Sequence, residues 1–280
     1  MREIHLDTAF GRLAALRFGH GGLPVLALHG WLDNAASFVP LAPHLPGIDL
    51  VALDLPGHGA SAHLPASADY TLIAAARASL AAADALGWSR FALLGHSMGG
   101  AAATLLAAAV PQRIGRLALI EALGGLVESE DRTAQRLREA FAMQATPPGA
   151  RRRVFDDPAT AVRARRQAGE LSEEAARLLV ERGIAPVGDG GWAWRSDARL
   201  TRPTAVRMSE AQMRDVIAGI DCPVHLVHAL PAFEFLPADV RDARVACLRD
   251  VRVSAIAGGH HLHMEQPARV AAALGAFLAG

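Results

Sequence analysis

The chain has 280 residues, 51% of them hydrophobic and 20% charged, and its 28 basic and 28 acidic side chains give a formal net charge of +0. That balance excludes a disordered chain and leaves no basic field for a nucleic-acid backbone. All the basic residues are arginine, which excludes a lysine-dependent phosphate loop and Schiff-base chemistry, and two cysteines make neither a disulfide framework nor a zinc–thiolate site.

Met1 to His5 carries no apolar signal stretch, and the longest apolar run, Gly99 to Val110, is too short to span a bilayer. A soluble, cytoplasmic protein with no membrane partner is expected. From about Gly11 to Leu123, short apolar runs alternate with alanine-rich stretches. The runs Leu23 to Leu28, Asp49 to Leu53, Phe91 to Leu94 and Leu117 to Ile120 predict strands buried on both faces, hence a mostly parallel sheet. Helices are predicted over Thr71 to Leu86 and Met98 to Val110, the second closed by Pro111. From about Gly124 to Ile220 charged sequence of helical period dominates, as in Ala161 to Glu181, with one short hairpin expected at Gly188 to Trp194. The strand pattern resumes at Val224 to Val227 and Val251 to Ile256, and an amphipathic helix closes the chain from Pro267 to Leu278. The fold class is therefore α/β, with a core of residues 1–123 and 221–280 and a helical cap insertion of residues 124–220.

Gly95-His96-Ser97-Met98-Gly99 fits G-x-S-x-G, a pattern that chance supplies only about 0.1 times per chain of this composition. It follows a predicted strand and opens a predicted helix, the setting that projects a serine hydroxyl above a sheet. Such a hydroxyl needs a base within hydrogen-bond reach, and the base needs an orienting partner. Gly258-Gly259-His260-His261-Leu262-His263 follows the last predicted strand, so its loop shares the sheet edge with Ser97. His260 is the expected base, with His261 and His263 as competitors. Reading these histidines as metal ligands lacks a second ligand cluster, since His225 and His228 fall on opposite faces of a strand. No metal and no cofactor are expected.

His29-Gly30-Trp31 ends the first core strand, where a loop amide can complete an oxyanion hole. The Trp31 and Met98 amides are the expected donors. His29 reads as a structural histidine. Asp54 to Ser61 reads as a tight turn in which Asp54 accepts bonds from its own backbone.

Together these blocks resemble the α/β-hydrolase superfamily, and within it the serine hydrolase-like family. The resemblance rests on His29 to Phe38, Asp54 to Ser61, Gly95 to Gly100 and Gly258 to Glu265 with Pro267, and weakens across the insertion, which corresponds to the family's variable cap. It implies a Ser–His–acid hydrolase acting through an acyl-enzyme. Many members carry the acid in the loop after the strand that is Val224 to His228 here, yet the corresponding position is Ala232. Two acids remain: Glu234 in that loop, and Glu121 at the end of the strand Leu117 to Ile120. Some haloalkane dehalogenases place their acid at the latter strand end, and a carboxylate closing an apolar run needs a partner. Glu121 is favoured, with Glu234 the alternative. Serine as the nucleophile argues against dehalogenation itself.

The expected activity is cleavage of a carboxylic ester of a small to medium-sized, largely apolar substrate. Cleavage of a C–C or amide bond by the same triad remains open. So does a slow or non-catalytic ligand-binding receptor, which the missing acid at Ala232 favours. Leu123, Leu126, Phe141, Met143, Trp192 and Trp194 are pocket-or-core residues. Arg151 to Arg153, Arg163, Arg165 and Arg166 read as a solvated face beside Glu170, Glu173 and Glu174. The expected partner is a small-molecule substrate. Oligomeric state is not legible.

Overall fold

The computed structural model describes residues 1–144, 153–188 and 190–279. The central sheet is built from β1 (Arg2–Thr8), β2 (Gly11–Phe18), β3 (Leu23–Leu28), β4 (Ile48–Leu53), β5 (Phe91–His96), β6 (Ile114–Ile120), β10 (Val224–Leu230) and β11 (Val251–Ala257). Its order is β1-β2-β4-β3-β5-β6-β10-β11. β2 pairs antiparallel with both β1 and β4, and every other neighbouring pair is parallel. The expected, mostly parallel α/β architecture is what the chain adopts.

Alternation along each inner strand divides the core into two layers. Leu26 and Leu28 of β3, Leu93 of β5 and Leu117 and Leu119 of β6 lie in one cluster, beneath α1 (Leu72–Ala85) and α2 (Met98–Ala109). Val25, Ala27, Ala92, Leu94, Ala118 and Ile120 point the other way and pack with Val270, Leu274 and Phe277 of α9 (Pro267–Ala279). Successive side chains of a strand face opposite sides, so a strand covered on both faces must be apolar throughout. This is why these strands are readable as continuous runs. β1 carries only one buried residue, Leu6, and lies outside the expected set.

The segment after β6 holds α3 (Thr133–Gln144), β7 (Val154–Phe155), α4 (Pro158–Gly169), α5 (Glu173–Gly183), β8 (Ile184–Val187), β9 (Gly191–Trp194) and α6 (Glu210–Ala218). It differs from the expected helical insertion in two ways. β7, β9 and β8 form a three-stranded antiparallel sheet where only a hairpin was expected, because the two-residue β7 is too short to leave a periodic signal. Met213 and Ile217 of α6 are buried in the same cluster as Leu117 and Leu119, so α6 packs with the core. After β10 come α7 (Ala238–Val245), then β11 and the one-turn α8 (Leu262–Glu265) that precedes α9.

Among the described residues no helix is long and apolar enough to cross a membrane.

Candidate active site

In an open parallel sheet the carboxyl ends of the strands leave a crevice where the strand order reverses. Here that point lies between β3 and β5, whose ends lead into Trp31 and Ser97. Ser97 adopts φ +51 and ψ −120, a conformation costly for a residue with a Cβ. It occupies the N-cap of α2 without a side-chain capping bond, so its hydroxyl is not consumed by the helix start. The flanking glycines explain how the turn closes. A Cβ on Gly95 would lie 2.4 Å from Gly100 Cα, and one on Gly99 would lie 2.1 Å from the Leu28 carbonyl oxygen. α2 therefore begins in contact with the end of β3, beside the loop that bears Trp31. Gly99→Ala is expected to cost more than about 2 kcal/mol in urea unfolding, because a backbone carbonyl cannot rotate away. A variant within about 0.5 kcal/mol of wild type would contradict that packing.

Glu121 stands one residue beyond β6 and is 4% exposed. Its Oε1 accepts from the Ala229 amide at 2.5 Å, its own amide donates to the Val227 carbonyl at 2.9 Å, and His260 Nδ1 donates to its Oε2 at 3.3 Å. Ser97 donates its amide to the Ile120 carbonyl at 3.0 Å, which puts the serine and the carboxylate at adjacent strand ends. Glu234 is exposed and, among the described residues, makes no hydrogen bond or ion pair with His260. His260 arrives from the loop after β11. Its carbonyl accepts from His96 Nε2 at 2.9 Å, and its ring lies 4.8 Å from that of His96, the residue preceding Ser97. Ser97 and His260 thus both lie beside Glu121 at one rim of the sheet. Among the described residues Ser97 Oγ makes no hydrogen bond to His260, an interaction that often tightens only with substrate bound.

Met98 is the first residue of α2, so its amide has no intrahelical acceptor. Trp31 is 51% exposed, with its indole Nε1 donating to the Leu200 carbonyl at 3.0 Å.

His29 and His58 are buried and neutral. His29 Nδ1 donates to the Gly30 carbonyl at 2.7 Å and its Nε2 accepts from the Leu55 amide at 3.0 Å. Burial pushes its pKa down to about 4. His58 has the same tautomer, donating to Pro56 and accepting from Leu32, and burial pushes it down to about 3. Asp54 accepts from the Ala35 and Ala60 amides and from Arg182, a structural role.

The pocket residues divide. Leu123 is fully buried in the layer beneath α2, the core side of its pocket-or-core reading. Trp192 and Trp194 pack with Phe155, Ala161, Val180 and Ile184, the Trp194 ring 5.4 Å from Phe155. They fill the small core between α4, α5 and β9, which accounts for their alternation. Leu126, Phe141 and Met143 are exposed. Arg151 and Arg152 lie outside the described residues. Arg153 covers the Phe155 ring at 4.9 Å, and Arg163 bonds Thr160. Arg165 departs from the expected solvated face and pairs with Asp33.

Two neighbours of His260 lie outside the expected set. The Phe233 ring stacks on it at 4.5 Å and 22°, and Phe235 meets it edge-on at 6.2 Å. An aromatic face attracts the imidazolium that proton transfer would create. Asp33, separated from His29-Gly30-Trp31 by Leu32, also lies outside the expected set and bonds His261.

Residues 24–229 match the model of the α/β-hydrolase fold family. A serine hydrolase-like protein of Dictyostelium discoideum is 30% identical over 280 residues, spanning 94% of this chain and 77% of that one. Lipase LipV of Mycobacterium tuberculosis is 32% identical over 270 residues, 92% and 94% of the two chains. The crystal structure of a hypothetical protein from Pseudomonas aeruginosa PAO1 superposes with a TM-score of 0.94 at 43% identity, covering 100% of both chains.

Proposed function

The chain belongs to the α/β-hydrolase family, within it to the serine hydrolase-like proteins, and from that membership we propose that it hydrolyses a carboxylic ester through an acyl-enzyme on Ser97. The observation that carries this reading is the bond between Glu121 and His260 beside the Ser97 elbow. Ser97 Oγ attacks the ester carbonyl as His260 Nε2 takes its proton. The C=O electrons move onto oxygen, where the Trp31 and Met98 amides donate to the oxyanion. Removing one such donor costs about 2.7–4 kcal/mol of transition-state stabilisation. Collapse expels the alkoxide, which recovers the proton from His260 and leaves as the alcohol. Water, deprotonated by the same imidazole, then releases the acid and regenerates Ser97. Glu121 holds the Nδ1 proton on His260 throughout, so that Nε2 is free to accept.

The segment from α4 to Leu200 is read as a cap over this rim. It is fastened there at several points: Leu200 to Trp31, Leu179 to Asn34, Arg165 to Asp33, and Ser172 to Glu265. The name of the Mycobacterium tuberculosis relative, a lipase, agrees with an ester substrate. The receptor alternative drew its support from Ala232, and a carboxylate bonded to His260 from the neighbouring strand end supplies what that position lacks.

A fluorophosphonate probe is expected to label Ser97 stoichiometrically, and Ser97→Ala to abolish the adduct by intact-mass measurement. Absence of an adduct on folded wild-type protein contradicts the mechanism. A panel of p-nitrophenyl esters, anilides and β-diketones separates ester from amide and C–C cleavage.

A further inference from the structure

Asp33 buries a carboxylate where three parts of the molecule meet. The residue is 3% exposed. A buried carboxylate is costly unless its oxygens are paired. One oxygen, Oδ1, accepts from the Arg165 guanidinium of α4. The other, Oδ2, accepts from His261 Nε2 at 3.3 Å and lies 3.9 Å from His96 Nδ1. Burial alone would raise this carboxyl, but the hydrogen bond from His261 and the charges of His261 and Arg165 hold it well below the usual carboxylate range.

The positions of these partners are informative. His96 immediately precedes Ser97, and His261 immediately follows His260. His96 also donates from Nε2 to the His260 carbonyl, so a chain of contacts runs Asp33, His261, His260, His96. Gly30 makes room for that cluster: a Cβ there would lie 2.9 Å from Asp33 Oδ2 and 3.0 Å from His96 Nδ1. The main chain of Asp33 is itself fixed, its amide donating to the Gly30 carbonyl at 3.1 Å. One carboxylate thus braces the residue after the imidazole, and the His260 carbonyl is tied in turn to His96, the residue before the serine. The remaining carboxylate oxygen is held from α4, 132 residues away in the chain.

We propose that Asp33 is a positioning residue that keeps His260 in register with Ser97, and that Arg165 couples the docked position of α4 to that register. The proposal rests on the reading of Ser97 and His260 as the reacting pair. Asp33 touches neither substrate nor the reacting atoms. Its effect is geometric, and a misplacement of about 1 Å at a reacting pair can cost about 10²-fold in rate.

The test uses the full chain with Arg165→Met, Arg165→Lys and Asp33→Asn. Two rates are read, each per folded molecule: hydrolysis of p-nitrophenyl butyrate, and fluorophosphonate labelling of Ser97. Arg165→Met is expected to lower kcat and the labelling rate together, about 10-fold to 100-fold, with KM within about threefold. Arg165→Lys, which keeps a cation, is expected to recover most of both rates. Asp33→Asn is expected to lose at least as much as Arg165→Met. If Asp33→Asn does not fold, the two Arg165 variants carry the test, since they leave the buried carboxylate in place. Wild-type labelling with Arg165→Met at an unchanged rate overturns the coupling alone. So does a rate loss that disappears once corrected for folded fraction, or one that lysine fails to rescue. No labelling of the wild type overturns the reading of Ser97 and the coupling with it.

Discussion

Replacing Glu121 by glutamine is expected to lower kcat by about 10⁴-fold while leaving KM within about threefold. The exchange preserves size and keeps one oxygen that can accept from the Ala229 amide, as Oε1 does now. What changes is the group facing the imidazole. Today a carboxylate oxygen accepts from His260 Nδ1, which fixes the second ring nitrogen as the acceptor on the Ser97 side. A carboxamide NH2 in that place donates, so Nδ1 must accept and the proton moves to Nε2. An Nε2–H cannot take the serine proton. The imidazolium formed during attack also loses the negative charge beside it. Substrate contacts elsewhere are untouched, hence the small change in KM. Glu234→Gln is the paired measurement. That side chain is exposed, so its rate should stay within about twofold of wild type. Steady-state kinetics on one p-nitrophenyl ester decides the matter. Retention of more than a tenth of wild-type kcat by Glu121→Gln would remove the acid from the proposed mechanism.

The residues that made this site legible are those whose signal is local. Ser97 sits between glycines at a junction of strand and helix, and each of those features can be seen within six residues. Glu121 stands out because a carboxylate that ends a fully apolar strand has lost its water and must find a partner. The strands of the inner sheet are legible for the same reason: burial on both faces demands uninterrupted apolar sequence. β1 escapes because as an edge strand it buries only Leu6 and presents Arg2, Glu3 and Asp7 outward. β7 escapes because two residues carry no period. Arg165 was indistinguishable from Arg163 and Arg166 by sequence, since its partner Asp33 lies in a loop that no local pattern connects to α4. Phe233 has no local signal of another kind: a ring in a loop carries no period, and its stacking partner His260 comes from a different loop. What sequence conveys poorly is long-range pairing between a charged surface-like helix and a buried carboxylate.

The second large effect concerns stability in acid. His29, His58 and His263 are each wholly buried, and burial pushes their pKa values down to about 4, about 3 and about 3. The imidazoles crowd one another as well. His29 and His58 lie 4.9 Å apart, His263 lies 4.2 Å from His96, and His96 is held well below its ordinary value by burial and by its imidazole neighbours. Near neutral pH these rings are uncharged whether the chain is folded or not, so they impose no penalty. Below their ordinary value of about 6.5 the unfolded chain binds protons that the folded chain refuses. Stability is therefore lost as pH falls through the window from about 6.5 to about 4, where all three rings contribute. Between about 4 and 3 His58 and His263 still do, and His96, also held low, adds a loss of the same sign. Over the upper part of that window these three rings alone bring the slope to about 4 kcal/mol per pH unit. Carboxylates held low, Asp33 and Asp197 among them, add a loss of the same sign below about pH 4. A domain whose total stability is about 5–15 kcal/mol cannot absorb this, so cooperative acid unfolding is expected with a midpoint between about pH 4 and 6. Urea unfolding followed at half-unit pH steps measures the slope directly. His263 offers the internal control, because neither ring nitrogen has a hydrogen-bond partner among the described residues and its ring packs against Phe38. His263→Leu removes one proton site without abandoning a bonded neighbour, and is expected to reduce the slope by about 1.4 kcal/mol per pH unit. A wild-type slope under about 1 kcal/mol per unit between pH 6.5 and 4.5 would mean that these rings take up protons without unfolding the chain, and that the crowded imidazoles beneath the active-site rim are open to water.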